Sequence, residues 1–255
     1  ALSSPIVSAV ASQAQHSTRA GRILVLDGDP TTDTVNAMLW RGNGPSLTAS
    51  TPAIHALTLA QARNGAATGT LSDPATASLA QAAYTLVVYP DDATVQTLAA
   101  HDIDTILVPL GASGSVALTS GLDRADGLEK VGDTNSGTVW RLRPDGLTPA
   151  RVRVESASGV TTPVGSSQLR VDGDVQASGT LILAERADSG WRAWVDGVAL
   201  TPVAAADGWS QAFDMPTAGH LTVTYNAWWV IPWRIAAAAC LVVAMASALS
   251  AWRKR

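Results

Sequence analysis

Short acidic pairs are the most evident candidates for a catalytic or metal-binding role in this sequence. Carboxylate oxygens are the ligands that hard divalent cations prefer, and sugar-nucleotide enzymes use an Asp-x-Asp spacing to hold such a cation. Asp and Gly are also the ordinary residues of turns, and each pair lies at the edge of a predicted strand. We therefore predict no catalytic residue, no metal site and no cofactor. The three pairs are Asp27 with Asp29, Asp102 with Asp104, and Asp172 with Asp174.

Other catalytic signatures are missing from the sequence. There is no Gly-x-Ser-x-Gly elbow, no phosphate loop and no His-Glu-x-x-His motif. The histidines lack the spacing of metal ligands; they are His16, His55, His101 and His220. A triad assembled from distant residues is the alternative that remains open.

Tryptophans offer a different chemistry, because exposed aromatic rings stack on sugar rings. The glycan-contact candidates are Trp191, Trp194 and Trp209. The alternative is that they belong to a hydrophobic core, with their N–H groups paired. Trp191 and Trp194 are three positions apart, so a strand would direct them to opposite faces.

The elements of the first half predict an α/β (α+β) domain over residues 21–147. Apolar runs predict strands at Ile23–Leu26, at 35–40 and at 103–110, and alternation predicts a hairpin within 122–142. Helical patterns cover 51–63 and 91–100, with a further helix beginning at 72–74. In that helix, Thr85–Tyr89 could instead be a strand. Residues 1–20 form a leading segment, and a linker is expected at 144–149.

The second half predicts an all-β sandwich, jelly-roll or immunoglobulin-like, over residues 148–227. Alternating segments such as RVRVES, TLILAER and HLTVTY follow one another at short intervals, separated by Gly and Pro turns. This spacing is typical of a sandwich of roughly seven to nine strands.

The sequence of the last segment, 228–255, predicts one transmembrane helix. Residues 235–251 carry no charge, and 17 residues span about 26 Å as a helix, close to the thickness of a bilayer core. Tryptophan favours the membrane interface, and cytoplasmic flanks collect Lys and Arg. The C-terminus is therefore expected in the cytoplasm and the bulk of the chain outside. The expected anchors are Trp228, Trp229, Trp233, Trp252, Arg253, Lys254 and Arg255.

Composition limits the functional class. The formal net charge of −4 and the lack of a basic stripe speak against nucleic-acid binding. The single cysteine, Cys240, lies in the predicted span, so no disulfide can form within the chain. The chain starts without a signal peptide, and we expect it to be the C-terminal part of a larger membrane protein.

The order of motifs resembles a known family. LAERADSGWRAWVDGVAL, DGWSQAFDMPTAGHLTVTY, a Trp-rich hydrophobic helix and a basic tail follow one another. This order is similar to the C-terminal extracytoplasmic region of large actinobacterial family-two membrane glycosyltransferases. RILVLDGDP, HDIDTILVPL and GLEKVGDTNSGTVWRLRP extend the resemblance over residues 22–255.

The resemblance implies a non-catalytic outer portion of a polytopic enzyme of cell-envelope polysaccharide synthesis or export. The family's acidic catalytic motifs belong to an N-terminal domain that this sequence does not contain, so no catalytic residue is carried over. Expected partners are the lipid bilayer, upstream membrane spans of the same protein and envelope polysaccharide. Two alternatives remain: a structural or oligomerisation domain, and an independent glycan hydrolase with two carboxylates roughly 5 to 9.5 Å apart.

Overall fold

The computed structural model describes residues 21–32, 35–40, 57–58, 74–112, 114–166 and 171–226, together with positions 237 and 240. This part of the chain is mainly β, with fifteen strands in three sheets and three α-helices. The three sheets have six, five and four strands.

The six-stranded sheet comes from the first half of the chain. Its strand order is β3-β2-β1-β4-β6-β5, in which only β1 and β4 pair in parallel. The strands are β1 (Arg22–Asp27), β2 (Asn36–Trp40), β3 (Leu57–Thr58), β4 (Ile103–Pro109), β5 (Leu128–Thr134) and β6 (Gly137–Leu142).

The three helices share one hydrophobic core with this sheet. They are α1 (Pro74–Val88), α2 (Asp92–Ala100) and α3 (Ser115–Leu122). Asp91 caps α2, because its carboxylate accepts a hydrogen bond from the Thr94 backbone N–H at 2.7 Å. The core side chains include Leu24, Leu26, Leu79, Leu86, Leu98, Ile106, Leu118 and Trp140.

Two antiparallel sheets from the second half enclose a separate core. The five-stranded sheet has the order β13-β14-β10-β7-β8, and the four-stranded sheet has the order β12-β11-β15-β9. The strands are β7 (Val152–Glu155), β8 (Thr161–Pro163), β9 (Val171–Val175), β10 (Gly179–Arg186), β11 (Trp191–Val195), β12 (Val198–Ala199), β13 (Thr201–Ala204), β14 (Ser210–Met215) and β15 (Gly219–Tyr225).

Alternation along these strands explains the shared core. On β11, Trp191, Ala193 and Val195 are buried, whereas the residues between them are not. They meet side chains of the five-stranded sheet, such as Leu181 and Phe213. The predicted sandwich pattern of seven to nine strands agrees with the nine strands described here, and the finer jelly-roll or immunoglobulin-like assignment stays a prediction.

Most of the described strands and helices agree with the local predictions, whereas one segment differs and one helix was missed. The helix predicted over 51–63 is wrong at Leu57–Thr58, where the backbone pairs with β2 and extends the sheet. The other residues of that segment lie outside the described residues. The stretch Thr85–Val88 belongs to α1 rather than to a strand. The helix α3 was not predicted.

Within the described residues, no helix is both long enough and apolar enough to cross a membrane. The predicted span, 235–251, lies outside them except for Ala237 and Cys240, both of which are helical.

Candidate functional site

A buried ion network connects the six-stranded sheet to the sandwich. Glu185 on β10 is 1 % exposed, and its Oε1 accepts hydrogen bonds from Arg22 Nη2 at 3.0 Å and Arg151 Nε at 2.9 Å. Arg22 begins β1, whereas Arg151 immediately precedes β7. One carboxylate therefore binds both halves of the chain, and the burial of all three groups makes each dependent on its partners.

The C-terminal end of α2 receives two of the buried cations. Arg22 Nη1 donates to the His101 carbonyl oxygen at 2.8 Å, and Arg153 Nη1 donates to the Ala100 carbonyl oxygen at 3.2 Å. The last carbonyls of a helix lack partners within the helix and carry partial negative charge. The arginines satisfy these carbonyls, so the end of α2 also takes part in the contact between the six-stranded sheet and the sandwich. We call this contact region, built around Glu185, the junction.

An aromatic stack closes the same junction. The ring of His101 lies on that of Trp209, with centroids 3.9 Å apart and planes inclined by 11°. His101 Nε2 is 3.0 Å from Ser78 Oγ on α1. Burial, reinforced by the positive charges of Arg22 and Arg153, lowers the pKa of His101 to about 3. The imidazole is therefore neutral in the folded protein at physiological pH.

Asp102 is a buried carboxyl within this junction. It is fully buried, its φ is 62°, and its backbone carbonyl oxygen accepts the Arg22 N–H at 2.8 Å. Neither carboxyl oxygen has a hydrogen-bond partner. Burial raises the pKa of Asp102 well above its ordinary value, although Arg22 and Arg151 oppose the shift. The buried position therefore favours the neutral form of this carboxyl over the ionised form.

The acidic pairs do not come together as a metal centre. Asp29 accepts hydrogen bonds from the N–H and hydroxyl of Thr31, which hold its pKa below the ordinary value, so it stabilises the turn after β1. Asp172 and Asp174 flank His220 on the surface of the sandwich. Within the described residues, no group of three histidine, cysteine or acidic side chains is arranged so that it could hold a metal ion.

The three candidate tryptophans have different environments. Trp191 lies in the sandwich core, where its Nε1 donates to the Arg186 carbonyl oxygen at 3.3 Å. Trp209 lies in the junction, packed against Ala75 and Ala184. Both are at most 5 % exposed, so neither presents a ring face to a ligand. Trp194 is partly exposed on the opposite side of β11.

Trp194 lies in one row with two polar side chains on the solvent-facing side of the four-stranded sheet. Thr222 on β15 is directly opposite Trp194, and Asp172 on β9 is directly opposite Thr222. Side chains in register on neighbouring strands lie roughly 4.5 to 5.5 Å apart at Cβ and share a face. This arrangement places an aromatic ring, a hydroxyl and a carboxylate side by side. We call the row formed by Trp194, Thr222 and Asp172 the outer face.

The motif Gly190 to Gly197 has a structural explanation. A Cβ at Gly190 would approach the Asn226 carbonyl oxygen to 2.8 Å, so the close passage of these two segments favours glycine. Asp196 and Gly197 have φ values of 49° and 80° and form the two-residue turn between β11 and β12. Asp-Gly suits such a turn because both positions need positive φ. These residues position Trp194 on its strand.

The sequence did not reveal the junction. Arg151 and Arg153 alternate with inward-facing valines, a pattern that ordinarily indicates a solvent face. In the structure both arginines are instead buried, and neither is more than 7 % exposed. The membrane-anchor residues 228, 229, 233 and 252–255 lie outside the described residues, so their roles stay predictions.

Comparison with family models, with curated proteins and with solved structures found no match to this chain.

Proposed function

We propose that this chain is the non-catalytic extracytoplasmic portion of a polytopic membrane glycosyltransferase that makes or exports cell-envelope polysaccharide. In this proposal the six-stranded sheet and its helices are the α/β domain of residues 21–147, and the sandwich is the domain of residues 148–227. Residues 228–255 cross the membrane and end in a cytoplasmic basic tail. The resemblance in motif order supports this assignment of the parent protein.

The outer face carries the proposal that the sandwich contacts glycan. Trp194 supplies an apolar ring face, and the Asp172 carboxylate, which also contacts His220 Nε2 at 2.7 Å, accepts hydrogen bonds from sugar hydroxyls. The Thr222 hydroxyl between them both donates and accepts. A few polar groups beside an aromatic platform give orientation as well as contact area, which suits a polyhydroxylated chain.

The junction holds the outer face in a fixed position relative to the first half of the chain. Glu185, Arg22 and Arg151 tie β10 to β1, and Arg186 Nη2 donates to Thr76 Oγ1 on α1 at 3.1 Å. These contacts join the sandwich to the helices of the first half. A polymer bound on the outer face would therefore have a fixed position relative to the six-stranded sheet.

Glycan titration tests the outer face directly. The full chain in detergent is titrated with soluble fragments released from the source cell envelope, with dextran as an unrelated polymer, by calorimetry. We expect binding of the envelope fragments and about tenfold weaker binding by Trp194→Ala, equivalent to about 1.4 kcal/mol. Tyr89→Ala is the matched control, because Tyr89 is an exposed aromatic residue on another element. Equal affinities of the two variants would exclude Trp194 as a contact.

A structural or oligomerisation role is the second candidate, and exposed apolar side chains favour it. Leu110, just after β4, and Val116, in the first turn of α3, are 75 % and 77 % exposed. Light scattering of the wild type and of a Leu110→Ser/Val116→Ser variant tests this role. A self-associated wild type that the double variant converts to monomer supports it, and a monomeric wild type removes self-association through these residues.

A further inference from the structure

His220 lies between two carboxylates of the neighbouring strand. Its Nε2 is 2.7 Å from Asp172 Oδ1, and its Nδ1 is 2.9 Å from Asp174 Oδ1. A neutral imidazole has one N–H and one lone pair, whereas an imidazolium donates from both nitrogens. Carboxylates accept but do not donate when ionised. With both carboxylates ionised, both short contacts are hydrogen bonds only in the imidazolium form of His220.

The strand that carries both carboxylates is an edge strand. Among the described strands, β9 pairs along its length only with β15, which carries His220. Asp174 is directly opposite His220, and Asp172 is opposite Thr222, so the imidazolium bridges two successive positions. Val171 and Val175 of β9 face the sandwich core. The bridge therefore reinforces the pairing of an edge that helps cover the core.

The charges around His220 favour its protonation. Asp172 and Asp174 face the ring from β9, and Asp196, in the turn after β11, accepts the His220 backbone N–H at 2.9 Å. The hydrogen bond that the ring donates to Asp174, followed by the one it donates to Asp172, raises the pKa of His220 above its ordinary value of 6.5. Asp172 and Asp174 both favour the imidazolium, and desolvation opposes them.

We propose that His220, Asp172 and Asp174 form a pH-dependent clasp that holds β9 on β15 and loosens as the imidazolium loses its proton. Because the folded-state pKa is raised, the contribution is complete below pH 6.5 and is lost as pH rises through the folded value. A neutral ring then leaves a lone pair facing one carboxylate. This inference does not depend on the proposed glycan contact.

NMR titration of the imidazole nitrogens and hydrogen exchange of β9 test the clasp in the full chain in detergent. We expect His220 to titrate above pH 6.5 and β9 protection, relative to that of β10, to fall roughly two- to fivefold across the same range. Taking the ratio to β10 removes the base catalysis of exchange itself. Titration at or below pH 6.5, or a constant β9 to β10 ratio, would overturn the proposal.

Variants separate the clasp from general effects of charge. Asp174→Asn is expected to lower the His220 midpoint, and His220→Gln to abolish the pH dependence of the β9 to β10 ratio. Asp214→Asn is the matched control, since Asp214 is an exposed aspartate on β14 of the other sheet. An equal shift of the midpoint in Asp174→Asn and Asp214→Asn would also refute the clasp.

Discussion

The ring of His101 is stacked on that of Trp209, with centroids 3.9 Å apart, and this contact joins the end of α2 to the strand-rich second half. Burial, reinforced by the neighbouring cations, keeps the imidazole neutral and lowers its pKa to about 3. A histidine of this kind stacks as an aromatic ring, and its folded environment disfavours protonation.

His101→Phe is expected to reduce the loss of stability in mild acid. As pH falls below 6.5, the unfolded chain takes up a proton that folded His101 does not accept until about pH 3, so wild-type stability declines in that window. Phenylalanine keeps the stack and removes this titration. Urea unfolding at pH 7 and pH 4.5 should show a smaller difference for the variant, and an unchanged difference would contradict a neutral buried His101.

Glu185→Gln is expected to destabilise the protein by about 3 to 5 kcal/mol, because it leaves Arg22 and Arg151 buried beside a neutral group. The matched control is Glu129→Gln, which breaks the exposed pair with Arg143 at 2.8 Å and should cost far less stability because solvent screens that pair. Chemical denaturation of both variants at neutral pH measures the contrast. Similar small losses would mean that the junction network is not buried as described.

Asp102→Asn is expected to stabilise the protein increasingly as pH rises. The folded-state pKa of Asp102 is raised, so ionisation in the unfolded chain progressively favours unfolding above the ordinary value of 3.8. Asparagine removes that ionisation and tolerates the positive φ of 62°. Stability curves of variant and wild type should converge near pH 3 and separate toward pH 7. A parallel offset at every pH would argue against a neutral buried carboxyl.

Elements with strong local signals could be predicted from the sequence. The apolar run of β1 and the Asp91 cap of α2 each determine their structure within a few residues. The two-residue strand β3 could not be found this way, since it exists only through pairing with β2. Helix α3 begins after Gly114 in a left-handed conformation without a side-chain cap, so its start has no polar signature.

The sites depend on contacts that no local pattern encodes. Arg22 and Glu185 are 163 positions apart in sequence, and nothing near either residue indicates the other. Alternation did separate Trp191 from Trp194 correctly, since period-two geometry places them on opposite faces. It could not indicate which tryptophan was covered, because that depends on where the core lies. The burial of Trp209 likewise depends on α1 and on His101.

In the proposed topology, residues 21–226 lie outside the cell and the C-terminus lies in the cytoplasm. Impermeant maleimide labelling of single-cysteine variants in intact source cells tests it, after Cys240→Ser removes the only native thiol. Ser158→Cys, at an exposed position, should be labelled in intact cells, and Lys254→Cys only after permeabilisation. Protection of position 158 in intact cells, with labelling only after permeabilisation, would contradict the account.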